Sequence, residues 1–397
     1  MKAENNPYRP GAGMSPPELS GRDDLLESSR VAFARLRNDS PVKSIIMHGL
    51  RGVGKTVLLN KMFHQAEDKG VVSIHVEVQD EKASLLNLMA PAMTSALDTL
   101  SQKTGKRERV AGAIDFLRNS VKAVELKAQA VGSLRVEMHD KKVSASEDLD
   151  ADLTELLRAV GEAADEQGTA FALFVDEIQN LPVNSLESLI AAIHRANQLS
   201  LPVILVAAGL PQILEKSGRA KSYAERLLDF EEVDNLDEDA AMAALVLPAQ
   251  ERDVEYEDGA ISEILEMTDG YPYFLQEWGK HCWNAAPRSP ISVEDVRRAT
   301  VTAQAALDAN FFRVRTARIS NSERGYMRAM AALGPGPYKS REIAEKLGRD
   351  VSSVAPVRGR LIAKGMIYSP AYGATAFTVP LFDGFMRRVM PDFEGTD

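Results

Sequence analysis

The sequence predicts an α/β fold with a parallel sheet, followed by a helical subdomain and a C-terminal winged helix-turn-helix. Apolar runs typical of buried parallel strands alternate with helical periodicity from Ser44 to Ala207. After Phe230 the strand pattern stops, and helical patterns continue to about Phe312. From Ser320 onward, three helical patterns precede two short extended runs joined by Gly373. Three helices and a β-hairpin are the pattern of a winged helix.

The elements of the first region follow one another in the order expected of a doubly wound sheet. The predicted strands are Ser44–His48, Val71–Val78, Phe171–Val175 and Val203–Ala207. The predicted helices are Thr56–His64, Ser84–Leu100, Asp152–Asp165 and Leu186–Gln198. The stretch from Thr104 to Asp150 is predicted as a helix, a short strand at Ser133–Met138 and a polar link. Segment 81–150 is longer than a minimal crossover, so it is either a partner-binding insertion or an extended pair of helices.

The second half of the chain carries helix start and stop signals. Asp237 and Ser292 are start signals, and Gly270 with Pro272 separates two helices. The C-terminal helices are predicted at Ser322–Leu333, Ser340–Leu347 and Ser352–Lys364, with extended runs at Met366–Ser369 and Thr375–Val379. Pro356 would break or shift the third of these helices unless it lies in the first turn. The predicted domains are residues 1–235, 236–312 and 313–397.

Composition excludes several classes of protein. The 397 residues are 45% apolar and 26% charged, as in ordinary globular proteins of two or three domains. The single cysteine, Cys282, and six scattered histidines give no disulfide framework and no metal-ligand spacing. The longest apolar run, Leu201–Leu210, is about half of what a membrane helix requires. The N-terminus has no secretory pattern, so we expect a cytoplasmic protein that does not span a membrane.

The net charge of −10 is unevenly distributed. Residues 229–258 contain twelve acidic residues and one basic residue, a balance of −11. Residues 313–364 contain twelve basic and four acidic residues, a balance of +8. The overall acidity therefore does not exclude a nucleic-acid partner for the C-terminal module, whose predicted third helix carries Arg358, Arg360 and Lys364. The alternative is a winged helix that contacts protein.

The run Gly49 to Thr56, GLRGVGKT, matches the phosphate-loop pattern G-x-x-x-x-G-K-[ST] between a predicted strand and a predicted helix. Glycines allow successive backbone N–H groups to curl around phosphates, and the helix N-terminus adds positive potential. In such a loop, Lys55 reaches the β- and γ-phosphates and the Thr56 hydroxyl is a ligand of Mg²⁺. The sequence therefore predicts a nucleotide site that uses Mg²⁺.

Paired acids end the predicted strand Phe171–Val175. Asp176 would hold Mg²⁺ through water, and Glu177 would polarise the water that attacks the γ-phosphate. The chain contains no Asn-Lys-x-Asp motif of the kind that reads guanine, so ATP is favoured over GTP. A metabolic kinase is the weakest alternative, because no acceptor site is evident.

These motifs, taken together, resemble those of bacterial AAA+ ATPases of the origin-recognition-like (AAA_16) class, which are related to the STAND signalling ATPases. Further segments support the resemblance: Asn6–Gly11, Leu19–Asp23, Asp176–Gln179, Ala208–Pro211, Ser222–Leu227 and Gly270–Pro272. The resemblance covers nearly the whole chain. It implies an AAA+ nucleotide domain, a helical lid and a winged helix.

The resemblance also implies roles for individual residues. Gly21 and Arg22 would border the adenine, and Pro272 in the Gly-Tyr-Pro turn would abut the nucleotide. Arg226 would be an arginine finger that acts in a neighbouring subunit, with a surface ion pair as the alternative and Arg219 as a weaker competitor. Residues 203–207 would be the sensor-1 strand, but its tip, Ala207–Gly209, offers no polar group, so slow hydrolysis is expected. No arginine lies between residues 259 and 287, where a sensor-2 arginine is expected.

The candidate site residues follow from these motifs. The nucleotide-binding residues are Leu19, Gly21, Arg22, Gly49, Leu50, Arg51, Gly52, Val53, Gly54, Lys55, Thr56, Val57 and Pro272. The catalytic residues are Glu177, Lys55 and Arg226; the metal ligands are Thr56 and Asp176; the DNA-contacting residues are Arg358, Arg360 and Lys364. The aromatic residues between Tyr271 and Phe312 are expected to form core, with a docking surface as the alternative.

The function predicted from these features is an ATP-dependent switch with slow ATPase activity. ATP and Mg²⁺ would set the lid, and the winged helix would engage duplex DNA or a protein partner, in a homo-oligomer that completes the site. Two alternatives stay open. One is an oligomeric DNA-loading or transposition-type adaptor, and the other is a signalling or defence-associated ATPase that does not bind DNA.

Overall fold

A computed structural model describes residues 1–11, 13–79, 85–104, 145–220, 224–334 and 336–391. The predicted strand at 133–138 and most of segment 81–150 lie outside these ranges. Within them, no helix combines the length and apolar character needed to cross a membrane. The chain forms two compact units, each described by itself below. The sheet unit contains Asp23–His48 and Lys55–Glu232, and the helical unit contains Met1–Arg22, Gly49–Gly54 and Val233–Asp397.

In the part of the chain that the structure describes, the sheet unit is built on five parallel strands, which confirms the predicted α/β class. The strands are β1 (Ser44–His48), β2 (Val72–Glu77), β3 (Phe171–Asp176), β4 (Val203–Gly209) and β5 (Leu228–Glu232), in the order β2-β3-β4-β1-β5. The helices are α1 (Asp23–Arg37), α2 (Lys55–Asp68), α3 (Leu85–Thr104), α4 (Ala145–Glu166), α5 (Val183–Gln198), α6 (Gln212–Ala220) and α7 (Ala224–Leu227). Burial of β3 and β4 on both faces explains their continuous apolar runs.

The strand order decides where the sequence motifs meet. Strand β4 lies between β1 and β3, with Ala207 paired to Ile46 on one side and to Val175 on the other. All strands run parallel, so their carboxyl ends share one edge of the sheet. The helix start at Lys55 and the acids that follow β3 therefore belong to the same edge.

Helices cover both faces of the sheet. On one face, α3, α4 and α5 bury a large apolar cluster against the strands. On the other, Phe174 of β3 contacts Phe33 of α1 and Phe63 of α2, with ring centroids 6.2 and 5.2 Å apart. This burial on both faces fixes the position of the strands, and with them the carboxyl edge of the sheet where Lys55 and the acids after β3 lie.

Helix α1 and strand β5 are among the elements of the sheet unit that the sequence patterns did not predict. Helix α1 begins with the acidic pair Asp23 and Asp24, which favours a helix N-terminus. Strand β5, with the sequence LDFEE, pairs with β1 and with no other described strand, and part of its length is exposed. An edge strand of this kind has no continuous apolar run, so its sequence does not show the pattern of a buried strand.

The helical unit contains a run of helices after residue 233. These are α8 (Glu238–Gln250), α9 (Asp258–Thr268), α10 (Pro272–Ala285), α11 (Val293–Ala306) and, after a π-helical turn at Leu307–Phe312, α12 (Arg313–Thr316). The side chains of Asp237 and Ser292 cap α8 and α11, as the start signals predict. Most of the aromatic residues from Tyr271 to Phe312 are buried core residues, as expected.

The N-terminal segment is attached to α10. The Met1 amino group donates a hydrogen bond to the Ala286 carbonyl at 2.8 Å, and the Trp283 indole donates to the Lys2 carbonyl at 3.0 Å. The Tyr8 ring packs so closely on Gly279 that a Cβ there would meet its Cδ1 at 2.5 Å. These contacts explain why a segment rich in proline and asparagine is ordered.

The C-terminal part of the helical unit has three helices, a small antiparallel sheet and a final helix. The helices are α13 (Asn321–Ala332), α14 (Ser340–Lys346), α15 (Val351–Ala363) and α16 (Phe382–Val389), and the strands β6 (Tyr338–Lys339), β7 (Ile367–Tyr368) and β8 (Ala374–Phe377) pair in the order β6-β8-β7. Pro356 lies beyond the first turn of α15 without breaking the helix. The expectation that proline would break or shift this helix is wrong. Buried side chains on both sides of Pro356, those of Val354, Val357 and Leu361, hold the helix in place and offset the hydrogen bond that proline cannot donate.

The three basic residues predicted to contact DNA make contacts inside this part of the chain. The Arg358 guanidinium donates to Thr375 Oγ1, Ser369 Oγ and the Ala374 carbonyl at 2.8 to 2.9 Å, which ties α15 to the hairpin. Arg360 and Lys364 both pair with Glu323, whose side chain is 1% exposed, at 3.3 and 2.7 Å.

Glu323 is the buried anion of that cluster. Burial alone would raise the pKa of Glu323, but hydrogen bonds from Lys364 and from the Ser320 backbone and hydroxyl lower it to about 2. The carboxylate is therefore ionised at neutral pH, and Arg360 and Lys364 neutralise it.

Candidate functional site

The carboxyl edge of the sheet unit brings together Thr56 and the acids after β3. The Thr56 hydroxyl, in the first turn of α2, donates a hydrogen bond to Asp176 Oδ2 at 2.8 Å. The other carboxylate oxygen of Asp176 accepts from the Glu177 backbone N–H at 2.8 Å. The two predicted metal ligands, distant in sequence, are thus direct neighbours.

Asp176 is held in a position that favours a bound cation. Its side chain is 6% exposed, and burial raises the pKa of Asp176, while the Thr56 and Glu177 hydrogen bonds lower it by smaller amounts. A hydroxyl and a buried carboxylate are the hard oxygen donors that Mg²⁺ prefers in phosphate-binding sites. The residues present therefore fit a Mg²⁺ ion, with Thr56 and Asp176 as its protein oxygen donors.

Glu177 adopts a backbone conformation that non-glycine residues rarely take. Its φ of 53° places it in the left-handed region, at the turn between β3 and the short 3₁₀ helix Ile178–Asn180. Such a conformation costs about 1 kcal/mol or more and persists where its surroundings hold it. The Gln179 amide donates a hydrogen bond to the Glu177 carboxylate and so fixes its direction.

Gln179 is a site residue for which the sequence suggested no role. Its side chain is 2% exposed, and its side-chain oxygen, Oε1, accepts a hydrogen bond from the Leu210 N–H at 2.9 Å, just after β4. A Cβ on Gly209 would lie 2.8 Å from the same oxygen, so the tip of β4 must be glycine. The Gln179 amide therefore lies directly against the tip of β4 and joins it to Glu177. An amide two residues after the acidic pair was the only sequence signal.

Within the helical unit, the segment Gly49–Gly54 has the shape that its glycines allow. A Cβ on Gly49 would lie 1.9 Å from the Val233 carbonyl oxygen. Gly52 and Gly54 have φ angles of 85° and 96°, and a Cβ on Gly54 would meet no heavy atom within 4 Å. Glycine is thus required at 49 for space and at 52 and 54 for conformation.

The residues predicted near the adenine lie in the helical unit beside the start of α8. Gly21 has a φ of 69°, and a Cβ there would meet the Ala240 side chain at 2.6 Å. The Arg22 guanidinium donates to the Asp234 carbonyl, and burial lowers the pKa of Arg22 although Asp234 and Asp237 raise it. Pro272 is the first residue of α10, preceded by a turn in which a Cβ on Gly270 would lie 2.2 Å from the Leu236 carbonyl.

The remaining predicted residues differ in burial. Val53 is buried, Gly52 and Gly21 are exposed, and partly buried positions are held by Leu19, Leu50, Arg51, Gly54, Lys55, Thr56 and Val57. Arg226, on α7, is exposed, and its side chain makes no hydrogen bond or ion pair with another described residue. Arg219, its competitor, pairs with Glu215 at 2.5 Å.

Comparisons with known families match two segments of the chain. Residues 18–206 match the family model of the AAA ATPase domain. Residues 309–386 match a domain of unknown function (DUF8462). No curated protein matches the sequence.

Several solved structures are similar to this chain at low sequence identity. A Walker-type ATPase of Pyrococcus abyssi aligns with a TM-score of 0.56 at 15% identity, over 92% of this chain and 97% of that one. The Aeropyrum pernix ORC1 protein in complex with DNA gives 0.46 at 14% identity, over 94% of each chain. The Thermotoga maritima RuvB Holliday junction branch migration motor gives 0.43 at 16% identity, over 89% of this chain and 91% of that one. The first of these similarities, at 15% identity, concerns the fold alone.

Proposed function

We propose that this chain is an AAA+ ATPase that binds ATP with Mg²⁺ and hydrolyses it slowly, as a nucleotide-dependent switch. The observation that carries the proposal is the hydrogen bond of 2.8 Å between Thr56 and Asp176, with Glu177 as the next residue. The match of residues 18–206 to the AAA ATPase domain supports it. A phosphate-loop hydroxyl paired with a strand-end carboxylate is the donor set of a Mg²⁺–nucleotide site.

Each group at the site has a chemical task in the proposed reaction. Bound Mg²⁺ would neutralise negative charge on the β- and γ-phosphate oxygens. The backbone N–H groups of Gly49–Gly54 and the Lys55 ammonium bind phosphate oxygens, with Leu50, Arg51 and Val53 forming the rest of the loop. Glu177 orients a water molecule and accepts its proton as the water oxygen attacks the γ-phosphorus, which releases ADP and phosphate. Gln179 keeps the Glu177 carboxylate in place.

Slow turnover is expected because few polar or positively charged groups of a single subunit can stabilise the negative charge that develops on the phosphate in the transition state. The tip of β4 has no polar side chain, and the Gln179 amide is occupied by Glu177 and Leu210. Arg226 would supply positive charge to the site of a second copy, which makes full activity dependent on a homo-oligomer. Leu19, Gly21, Arg22, Val57 and Pro272 are proposed to surround the nucleoside end and the α-phosphate.

Nucleotide affinity with and without Mg²⁺ tests this proposal. We expect ATP and ADP to bind at least tenfold more tightly than GTP in isothermal titration calorimetry. Asp176→Asn should lower ATP affinity about tenfold in Mg²⁺ but leave it nearly unchanged in EDTA, because only the cation's ligand is altered. Asp165→Asn, which alters an exposed acid near the C-terminal end of α4, is the control. Absence of ATP and ADP binding by the unaltered chain would overturn the proposal.

For the C-terminal part we propose a winged helix that engages a protein partner. Arg358, Arg360 and Lys364 make contacts within the module, although the Arg360 and Lys364 side chains stay 52% and 39% exposed. The exposed positions Val351, Ala355, Pro356 and Gly359 of α15 carry no charge. Tyr372, in the turn between β7 and β8, is fully exposed. An exposed aromatic ring and the absence of charge at those positions are more typical of protein interfaces than of phosphate contacts.

Stability and DNA binding measured on the same variants separate the two kinds of partner. Arg358→Ala should destabilise the protein by about 1–3 kcal/mol in thermal unfolding, because three hydrogen bonds are lost, while the exposed Arg349→Ala should not. Neither the unaltered protein nor Arg349→Ala should bind duplex DNA at physiological salt. Tight binding that falls steeply with salt and weakens in Arg349→Ala would instead favour a DNA-loading ATPase.

A further inference from the structure

The hydroxyl of Tyr271 lies against Gly52 of the phosphate loop, within the helical unit. A Cβ on Gly52 would be 2.5 Å from Tyr271 Oη and 3.0 Å from Cζ. The Tyr271 side chain is fully buried, and its hydroxyl has no hydrogen-bond partner among the residues that the structure describes. Buried hydroxyls are nearly always paired, so a hydroxyl held at a phosphate loop calls for an acceptor there.

Two positive charges act on the same hydroxyl. Burial raises the pKa of Tyr271, and the charges of Arg315 and Arg51 lower it to a smaller extent. Arg51 belongs to the loop, whereas Arg315 lies on α12, outside the stretch 259–287 that contains no arginine. The two guanidinium groups therefore make the surroundings of the Tyr271 hydroxyl more positive, which favours an anion with several oxygen acceptors there.

The position of Arg315 is set by aromatic packing. Its guanidinium carbon lies 4.1 Å from the centroid of the Phe311 ring, a cation–π contact, and the Arg315 side chain is only partly exposed. The Phe311 ring also stacks on Tyr273, with centroids 5.0 Å apart. Arg315 is therefore held beside the turn that carries Tyr271.

A continuous series of ring contacts runs from Tyr271 into the C-terminal module, which comprises residues 313–391. Tyr271 contacts Phe274 with centroids 4.6 Å apart, Phe274 contacts Phe311 at 6.3 Å, and Phe311 contacts Phe312 at 5.3 Å. Phe312 stacks on Phe385 of α16 at 5.1 Å. Because close-packed interiors transmit displacements, a shift of Tyr271 or Arg315 would displace side chains in that module.

We propose that Tyr271 and Arg315 bind the phosphate chain of the nucleotide. Arg315 distinguishes ATP from ADP, and the difference is transmitted to the C-terminal module. The inference rests on the nucleotide binding proposed above and names two further residues of that site. The Tyr271 hydroxyl donates to a phosphate oxygen, and the Arg315 guanidinium pairs with the negative charge that the terminal phosphate adds. Loss of that phosphate would release α12.

Affinities of two variants for ATP and ADP test this assignment by calorimetry in Mg²⁺. Tyr271→Phe, which keeps the ring, should weaken binding of both nucleotides about fivefold to tenfold. Arg315→Ala should weaken ATP about tenfold or more and ADP less than threefold. Arg313→Ala, on the same short helix and exposed, is the matched control and should change neither affinity.

A second measurement reports on the protein at the start of the C-terminal module rather than on nucleotide affinity. Amide hydrogen exchange in residues 309–320 should slow when ATP, but not ADP, is added to the unaltered protein, and Arg315→Ala should abolish the difference.

Three outcomes are decisive. Unaltered ATP and ADP affinities in both variants would overturn the inference while the proposed function stands. Equal weakening of ATP and ADP by Arg315→Ala would overturn the discrimination assigned to that residue. Failure of the unaltered chain to bind either nucleotide would overturn the proposed function and, with it, this inference.

Discussion

Replacing Glu177 by glutamine is expected to slow ATP turnover by about 10²–10³-fold while leaving ATP affinity within about threefold of the original. The amide cannot accept a proton from the attacking water, but it keeps the size of the side chain and its contact with Gln179. The Thr56–Asp176 pair is untouched by the change. Single-turnover phosphate release and calorimetric ATP binding, measured on the same preparation, separate the two effects.

Two further variants sharpen this result. Gln179→Ala should lower turnover about tenfold without loss of affinity, because the Glu177 carboxylate loses the group that fixes its direction. Glu215→Gln, which breaks only an exposed pair with Arg219, should behave like the unaltered protein. Turnover that survives undiminished in Glu177→Gln would remove Glu177 from the catalytic residues.

Replacing Gly49 by alanine should lower ATP affinity by about 100-fold or more. The added Cβ would lie 1.9 Å from the Val233 carbonyl oxygen, so either the phosphate loop or the segment at 233 must move. A backbone displacement of about 1 Å misaligns the N–H groups that are proposed to bind phosphate. The same overpacking should cost about 1–3 kcal/mol of stability in urea unfolding.

Gly218→Ala is the matched control for this change. Gly218 lies in α6, and a Cβ there would meet no heavy atom within 4 Å. Its replacement should leave nucleotide affinity unchanged and raise stability by up to about 1 kcal/mol, since alanine favours a helix. If Gly49→Ala binds ATP normally, the Gly49–Val233 approach does not shape the nucleotide loop.

The central strands were predictable because their signal is local. Strands β1, β3 and β4 are buried on both faces, so each one appears in the sequence as an apolar run with ends that agree closely with the structure. Strand β5 was not predicted because an edge strand carries acidic residues on its exposed side. The predicted domain boundaries at 235 and 312 stay predictions.

The roles of polar side chains were less predictable. Arg358 was a candidate DNA contact on the strength of its charge, but its hydrogen-bond partners Thr375, Ser369 and Ala374 lie in the hairpin after α15. A count of charges cannot distinguish a solvated arginine from one that joins a helix to a hairpin.

The sequence by itself determined the parallel α/β sheet, the glycine-rich loop after β1 and the acids after β3, because backbone conformation and strand burial impose residue types over a few neighbouring positions. Only the tertiary structure decided that Gln179 holds Glu177, that Glu323 pairs with Arg360 and Lys364, and that Tyr271 meets Gly52. Each of these contacts joins side chains whose partners are selected by strand order and helix packing. Local sequence patterns carry no information about such partners, since hydrogen bonds and ion pairs depend on distances that exist only after the chain has folded.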